Sequence, residues 1–316
     1  FGVSANFAYN MNMVEKYKGP LEEGYVTDEN GNKVWQSNIG DVSDGGNQRI
    51  IEGQPINAHY VFKLHRGSGA YFNPDGSVNP KGGPKTGMIR TPEDMQWLQA
   101  MMAAGYNFLP TNRIGVQQIT YGDFIYADLN EDGIFGNNFD RTFMGGNEVP
   151  RYNFGLNLNA SWKGFDISMI WAGSSGMNYF WNQRIYNTTN LRGGMSISER
   201  VANDRYFFNE ADPNDPRNNI NGTFPRLKLI DNEPQNALAS DFFLYDATFI
   251  KLKNLQFGYT FPISLMSKIK MTNLRLFVSG ENLLMFTNYP GLDPEIGANV
   301  EYPTMRQFAF GINATF

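Results

Sequence analysis

The 316 residues include no cysteine and only two histidines, His59 and His65. Without cysteine the chain has no disulfide framework, no thiolate zinc site and no cysteine nucleophile. Two imidazoles leave little scope for histidine-based chemistry. Charge is also sparse, at 18% of residues, with a formal net charge of -5 and a pI near 5.2. That balance argues against a nucleic-acid binder, which normally presents a basic face. No stretch approaches the roughly 18 consecutive apolar residues of a membrane-spanning helix, so a conventional helical membrane protein is excluded. A membrane β-barrel is not, because its strands alternate and never form a long apolar run. The length suits one large domain or two ordinary ones and can bury a sizeable core. The first residue is Phe1, with no initiator methionine and no signal peptide, so a processed chain or a piece of a longer one is expected.

The dominant pattern is period two, the signature of a strand. In residues 1–14, Phe1, Val3, Ala5, Phe7, Tyr9, Met11 and Met13 share one face, opposite Ser4, Asn6, Asn10 and Asn12. Residues 150–162 repeat it, with Tyr152, Phe154, Leu156, Leu158, Ala160 and Trp162 opposite Asn153, Gly155, Asn157, Asn159 and Ser161. Lys163 and Gly164 form a two-residue turn, and Phe165, Ile167, Met169 and Trp171 run back. Residues 244–261 form a long strand whose parity slips near Lys253 and Asn254, as a bulge would require. Pro262 stops it, and residues 264–272 suit a short helical connector. Leu274, Leu276 and Val278 open a fifth strand towards Phe286. The sixth, residues 304–316, places Phe308, Phe310, Ile312 and Phe316 on one side.

The connections between these strands are sorted by length. Lys163-Gly164 and residues 262–273 are short; residues 15–149, 174–243 and 288–303 are long or moderate and rich in Gly, Asn, Asp and Pro. All short links then fall at one end of the sheet. Short periplasmic turns opposite long extracellular loops are the topology of outer-membrane barrels. An alternating soluble sheet with one wet face would show the same strands, but a sandwich has no reason to sort its loops. Here the non-apolar face is mostly Asn, Gly, Ser and Ala. The other is crowded with Phe, Tyr and Trp near strand ends, as an aromatic girdle requires. Six strands cannot close such a barrel, which needs about eight or more, and open edges in lipid leave backbone groups unsatisfied. The expectation is an all-β chain forming six strands of a larger transmembrane antiparallel β-barrel, with residues 15–149 and 174–243 as large extracellular loops.

Several segments carry a family resemblance in order along the chain. They include Ile50-Ile51-Glu52-Gly53-Gln54-Pro55-Ile56, residues 122–133 from Gly122-Asp123-Phe124 to Asp132-Gly133, Asp140-Arg141-Thr142, and Pro150-Arg151-Tyr152-Asn153-Phe154-Gly155. Trp162-Lys163-Gly164-Phe165-Asp166 follows. The most distinctive is Phe249-Ile250-Lys251-Leu252-Lys253-Asn254-Leu255-Gln256-Phe257-Gly258-Tyr259-Thr260-Phe261-Pro262. Leu274-Arg275-Leu276-Phe277-Val278-Ser279-Gly280-Glu281-Asn282, Pro290-Gly291-Leu292-Asp293-Pro294-Glu295 and Tyr302-Pro303-Thr304-Met305-Arg306 complete the set. Together they resemble the C-terminal barrel region of SusC/RagA-type TonB-dependent outer-membrane transporters of Bacteroidota. The resemblance is weak in residues 67–118 and 176–241. It implies a roughly 22-stranded barrel in the bacterial outer membrane, importing glycan or peptide oligomers beneath a SusD-like surface lipoprotein. It also implies a plug domain and a TonB contact, both outside this stretch. No nucleic-acid partner is implied.

Other motifs bear on sites. Asp128-Leu129-Asn130-Glu131-Asp132-Gly133 has the spacing of a calcium loop, with oxygens at alternate positions and glycine for the sharp turn. Asp128, Asn130, Asp132 and the carbonyl of Ile134 are the candidate ligands. Phe139 stands where glutamate is expected, so Asp140 would substitute. The alternative is a set of Asx turns. Thr91-Pro92-Glu93-Asp94 predicts a helix start, with a Thr cap, Pro at the first position and acids where the dipole favours them; Met95, Leu98, Met101 and Met102 form its stripe and Gly105 ends it. Tyr71, Phe72, Trp97, Tyr106 and Phe108, with Tyr179, Phe180, Trp181 and Tyr186, either pack the loops or stack on ligands. By resemblance, Phe316 preceded by Phe308, Phe310 and Ile312 is an outer-membrane assembly signal. No spacing suggests a catalytic pair, no enzyme activity is expected, and no cofactor is required beyond the candidate calcium.

The reading is thus a TonB-dependent importer working by binding and gated passage. Its rival is a secreted, calcium-stabilised, glycan-binding β-sandwich. A third option is an outer-membrane adhesin sharing the barrel without transport.

Overall fold

The computed structural model describes residues 1–16, 25–27, 33–35, 48–50, 53–115, 118–181, 197–228, 235–298, 302 and 304–316. Tyr186, Ile51, Glu52 and Pro303, named above, lie outside them. The chain divides into two compact units. One comprises Phe1–Asn12, Asn147–Tyr179 and Tyr245–Phe316; the other comprises Met13–Gly146 and Phe180–Leu244.

The first unit is a six-stranded antiparallel meander of β1 (Gly2–Tyr9), β2 (Tyr152–Trp162), β3 (Phe165–Ser175), β4 (Phe249–Thr260), β5 (Asn273–Thr287) and β6 (Gln307–Thr315), neighbours in sequence order throughout. The register carries the period-two pattern from strand to strand, because paired residues share a face. One row reads Ala5, Leu156, Trp171, Leu252 and Leu284; another reads Ile167, Phe257, Val278 and Phe310. A single apolar face therefore runs unbroken across all six strands. The opposite face pairs Ser4 with Asn157, Ser168 with Asn159 and Gln256, and Gln256 with Ser279. The β2–β3 turn has φ of 49° at Lys163 and 89° at Gly164, the type I′ geometry that matches strand twist.

Three strand limits differ from the sequence expectation, each for a local reason. β1 stops at Tyr9, not residue 14. Asn10 N–H still reaches Arg151 O at 2.7 Å, but the next partner position is Pro150, which has no N–H to give. The expected strand over 244–261 is two strands. Asp246 accepts from Thr248 N at 2.9 Å and from Thr248 Oγ1 at 2.6 Å, an Asx turn that separates Leu244–Asp246 from β4. β6 begins at Gln307 rather than 304, because its ladder ends opposite Glu281. There β5 bulges, and Asn282 takes a φ of 52° and donates its Nδ2 to Met305 O at 3.2 Å. The predicted parity slip is present: the register of β4 shifts across Lys253 against both neighbours. The connector after Pro262 is a short helix, Ile263–Met266, followed by the turn Ser267–Ile269.

In the second unit, α1 (Pro92–Ala103) starts with a capping box. Thr91 Oγ1 accepts from Asp94 N at 3.2 Å and Asp94 Oδ2 accepts from Thr91 N at 3.0 Å. Met95, Leu98 and Met101 are buried as the stripe requires, joined by Trp97, Phe108, Ile125 and Phe135 in one core. Asp123, fully buried, ties the two long segments of this unit together. Its carboxylate accepts from Arg226 Nε at 2.9 Å and Asn236 Nδ2 at 2.8 Å, and pairs with Lys228 Nζ at 3.0 Å. A carboxylate so surrounded is the arrangement that makes a buried charge tolerable.

Candidate functional site

Two features of the meander bear on function: an apolar face open to its surroundings and a polar face carrying fixed charge at both ends. On the apolar face Phe7 and Phe310 are 68% and 86% exposed. In a sandwich such a face would be covered by a second sheet, yet the remaining sheets among the described residues have two or three strands each. Phe308, Ile312 and Phe316 are exposed along β6 and at its end. Among the described residues, β1 and β6 each pair on one side only.

At the short-link end of the polar face, Arg275 donates to Asp166 from Nε at 3.0 Å and Nη2 at 2.5 Å. The pair crosses over Gly258, where a Cβ would come within 2.6 Å of both side chains. Only glycine lets two strands that are not neighbours join across a third here. At the long-link end, Lys251 projects from β4 onto the turn Pro294–Ile296. Its Nζ lies 2.5 Å from Asp293 Oδ2 and 2.5 Å from Glu295 Oε2, with the side chain 3% exposed; Lys253 Nζ adds a 2.9 Å bond to Glu295. Burial raises the pKa of both carboxyls, but it is outweighed by their bonds taken together, from Lys251, Thr304 and Glu295 N–H to Asp293 and from Lys251 and Lys253 to Glu295, and each is held below its ordinary value. Tyr179 OH donates to Pro294 O at 2.8 Å, and its ring meets Tyr289 edge-on at 5.4 Å. Residues 289–297 thus form a strap fixed to the sheet.

Neither ion cluster follows from sequence spacing. The only signal is a Lys-x-Lys interrupting an apolar alternation, with Asp-Pro-Glu some forty residues later.

The Asp128 loop brings its candidate metal ligands into one closed turn. Asp128 accepts from the N–H of Asp132 at 3.2 Å and of Gly133 at 2.9 Å. Asp132 accepts from Ile134 N at 2.8 Å, Asn130 Nδ2 at 3.0 Å and Asn137 Nδ2 at 2.7 Å. Asp140 accepts from Leu129 N at 2.6 Å, Gly136 N at 2.8 Å and Asn137 N at 3.0 Å. Burial pushes the Asp140 carboxyl up to about 7 against those donors, and also raises Asp128. Ile134 enters a two-residue strand paired with Asn107–Phe108. As folded, the carboxylates satisfy backbone N–H groups, and no group of three or more acidic or imidazole side chains among the described residues is arranged to hold a metal.

Most of the loop aromatics pack. Trp97, Phe108, Tyr179 and Trp181 are buried, whereas Phe72 is exposed and Tyr71 and Tyr106 lie partly open against the core.

A continuous meander with one apolar and one polar face, open on the apolar side and with long and short links segregated, defines a barrel-type antiparallel sheet. No family model matches the chain. It is 30% identical over 210 residues, 62% of its length, to TonB-dependent receptor P3 of Formosa agariphila. It is 25% identical over 166 residues, 51% of its length, to TonB-dependent receptor SusC of Bacteroides thetaiotaomicron. It spans 19% and 15% of those relatives. In fold it is similar to a chain of the RagAB peptide importer in the open-open state, with a TM-score of 0.57 at 20% identity, covering 99% of this chain and 26% of that one. Over the part of their length that it spans, the chain is similar to TonB-dependent receptors of the SusC/RagA type. These relatives are receptors and transporters, not enzymes. No helix among the described residues is long and apolar enough to cross a membrane.

Proposed function

We propose that the six strands are a section of a closed, roughly 22-stranded outer-membrane barrel, in a receptor that imports oligomeric nutrients driven by TonB. The observation that supports it best is the unbroken apolar face from β1 to β6, exposed at Phe7, Phe257, Leu284 and Phe310. Such a face suits lipid, and the single-sided pairing of β1 and β6 calls for further strands, since unpaired edges in a bilayer cost several kcal/mol per group. The polar face lines the interior. Residues 15–149 and 174–243 lie outside the cell, where they meet a SusD-like lipoprotein and the substrate, an oligosaccharide or a peptide. Phe316, with Phe308, Phe310 and Ile312, directs assembly. Passage of substrate, not covalent chemistry, is the activity.

The test is uptake by the native bacterium. Deleting the gene should abolish growth on one class of oligomer while leaving growth on its monomer intact, and collapsing the proton-motive force should stop uptake in the parent. Undiminished growth on every oligomer tested would contradict the reading.

For the Asp128 loop we propose that calcium, when present, recruits Asp128, Asn130, Asp132, the Ile134 carbonyl and Asp140. Calcium should raise the thermal midpoint of the wild-type protein. Replacing Asp128 and Asp132 by Asn should remove that increment, and in chelator should cost only the smaller loss of the turn bonds that a single amide oxygen cannot keep. Equal destabilisation in chelator would assign the two carboxylates to the turn alone.

A further inference from the structure

The connector from β4 to β5 is longer than chain reversal requires. Lys163-Gly164 turns β2 into β3 with two residues, whereas residues 261–272 separate β4 from β5. The extra length is folded and pinned. Met266 is buried, Ser267 Oγ donates to Ile263 O at 2.7 Å, and Met271 N–H reaches Met266 O at 3.1 Å. Thr272 N–H ties the end of the connector to Thr315 O of β6 at 2.8 Å. Yet this fixed piece turns aliphatic side chains outward: Ile263, Leu265 and Ile269 are 70%, 48% and 57% exposed. Apolar groups held rigidly in the open call for a covering partner.

Two observations say what that partner is. The connector continues the apolar face of the sheet. Register carries Trp162 across to Phe165, Tyr259, Leu276 and Ile312, and the Phe261 ring meets Tyr259 edge-on at 5.0 Å, leading from that row to Pro262. Trp and Tyr on such a row suit a membrane–water boundary. Charge at this end also has one sign. In residues 1–5, 158–169, 255–278 and 307–316, Asp166 is the one acid, and Arg275 already engages it with two bonds. Lys163, Lys268 and Lys270 are left uncompensated there, although the chain as a whole carries a net charge of -5. Lys163 Nζ lies 4.9 Å from the Trp162 ring centre, so cation and interfacial aromatic stand together. Aliphatics for acyl chains beside cations for phosphate is the pattern of an interfacial segment. A stable protein interface takes about 20–30 residues a side, more than this connector and the Lys163 turn provide.

We propose that residues 261–272, with the Lys163 turn, dock anionic phospholipid of the periplasmic leaflet: Ile263, Leu265 and Ile269 enter the acyl layer, and Lys163, Lys268 and Lys270 bind the phosphates. The proposal rests on the barrel reading, which places the short links on the periplasmic side.

The experiment titrates the full-length receptor in neutral detergent with phosphatidylglycerol, phosphatidylcholine and inorganic phosphate, and counts bound molecules by native mass spectrometry. Phosphatidylglycerol should bind about tenfold or more tightly than phosphatidylcholine, since each lysine adds about fivefold for a net negative lipid. Lys268→Gln with Lys270→Gln should erode that preference, and Lys163→Gln should do so in part. Ile263→Ser with Ile269→Ser should weaken both lipids alike. These side chains are exposed, so the variants should keep the parent's melting temperature. Four results overturn the proposal: the two lipids bind alike; the preference survives in both lysine variants; inorganic phosphate binds as tightly as phosphatidylglycerol; or Leu265→Cys carrying a photo-crosslinker in native membranes captures the plug or another protein and no lipid. A fluorophore on Met169→Cys separates this claim from the one beneath it. Quenching there by nitroxide lipid, without a lysine-dependent preference, leaves the barrel standing and removes the docking site. No quenching there removes the barrel itself.

Discussion

Leu255→Arg should cost the folded protein about 2–4 kcal/mol in lipid, while Gln256→Arg, one residue along the same strand, should cost close to nothing. Leu255 pairs with Met169 on one side and Gly280 on the other, inside the apolar rows of β3, β4 and β5. Gln256 pairs with Ser168 and Ser279 on the opposite face. If the first face meets hydrocarbon, a guanidinium there must be stripped of water or must drag water in. If the polar face lines an aqueous interior, the same group there stays hydrated. The check is urea titration of the full-length protein refolded into phospholipid vesicles, read by the gel-mobility shift of the folded barrel. Equal losses from the two substitutions would mean that the faces do not meet different solvents.

Lys251→Met should release the strap over residues 289–297. The ammonium lies 2.5 Å from two carboxylates and is almost fully enclosed. Removing one partner of a buried pair typically costs about 3–5 kcal/mol, because the other charge is left without compensation. Lys253 still serves Glu295 at 2.9 Å, so Asp293 loses more. Hydrogen exchange should quicken at Glu295 and Ile296, whose N–H groups donate to Asp293 Oδ1 and Asp293 O. Wild type should show the same loosening in acid. A carboxyl held below its ordinary pKa stabilises the fold above the unfolded value, about 4, and that stability is lost as pH falls through the lower folded value. Protection of the strap should therefore be flat near neutrality and decline below about pH 4, with little further decline in Lys251→Met. Protection unchanged by the substitution would show that the Tyr179 and Tyr289 contacts alone hold the strap.

The strands were readable because their pattern is repeated and local. In Tyr152–Trp162 every second residue is apolar, and period two is how a strand with one apolar face is written. α1 was readable from four consecutive residues, Thr91 to Asp94, since a capping box is closed within one turn. The charged elements were not. Lys251 and Asp293 are 42 residues apart, and Asp166 and Arg275 are 109 apart; which carboxylate meets which cation depends on strand register, and that on bulges such as the one at Asn282. Trp97 shows the same limit. Its sequence setting left packing and stacking on a ligand both open, and only the fold shows Phe108 and Phe135, one after α1 and the other after the Asp128 loop, closing over it. A cavity beside that loop likewise needs segments near 65, 80, 106 and 130 together, a grouping with no trace in linear spacing.

The most direct measurement of the two-solvent account exploits the absence of cysteine from this chain. Single cysteines placed at each position from Ile167 to Ala172 of β3, in the full-length receptor with any cysteine outside these 316 residues replaced by serine and embedded in vesicles, would carry a polarity-sensitive probe. Quenching by nitroxide lipids should be strong at Ile167, Met169 and Trp171, and water-soluble quenchers should act instead at Ser168, Ile170 and Ala172. Water-soluble quenching at all six positions, with none from lipid, would contradict the barrel and with it the importer.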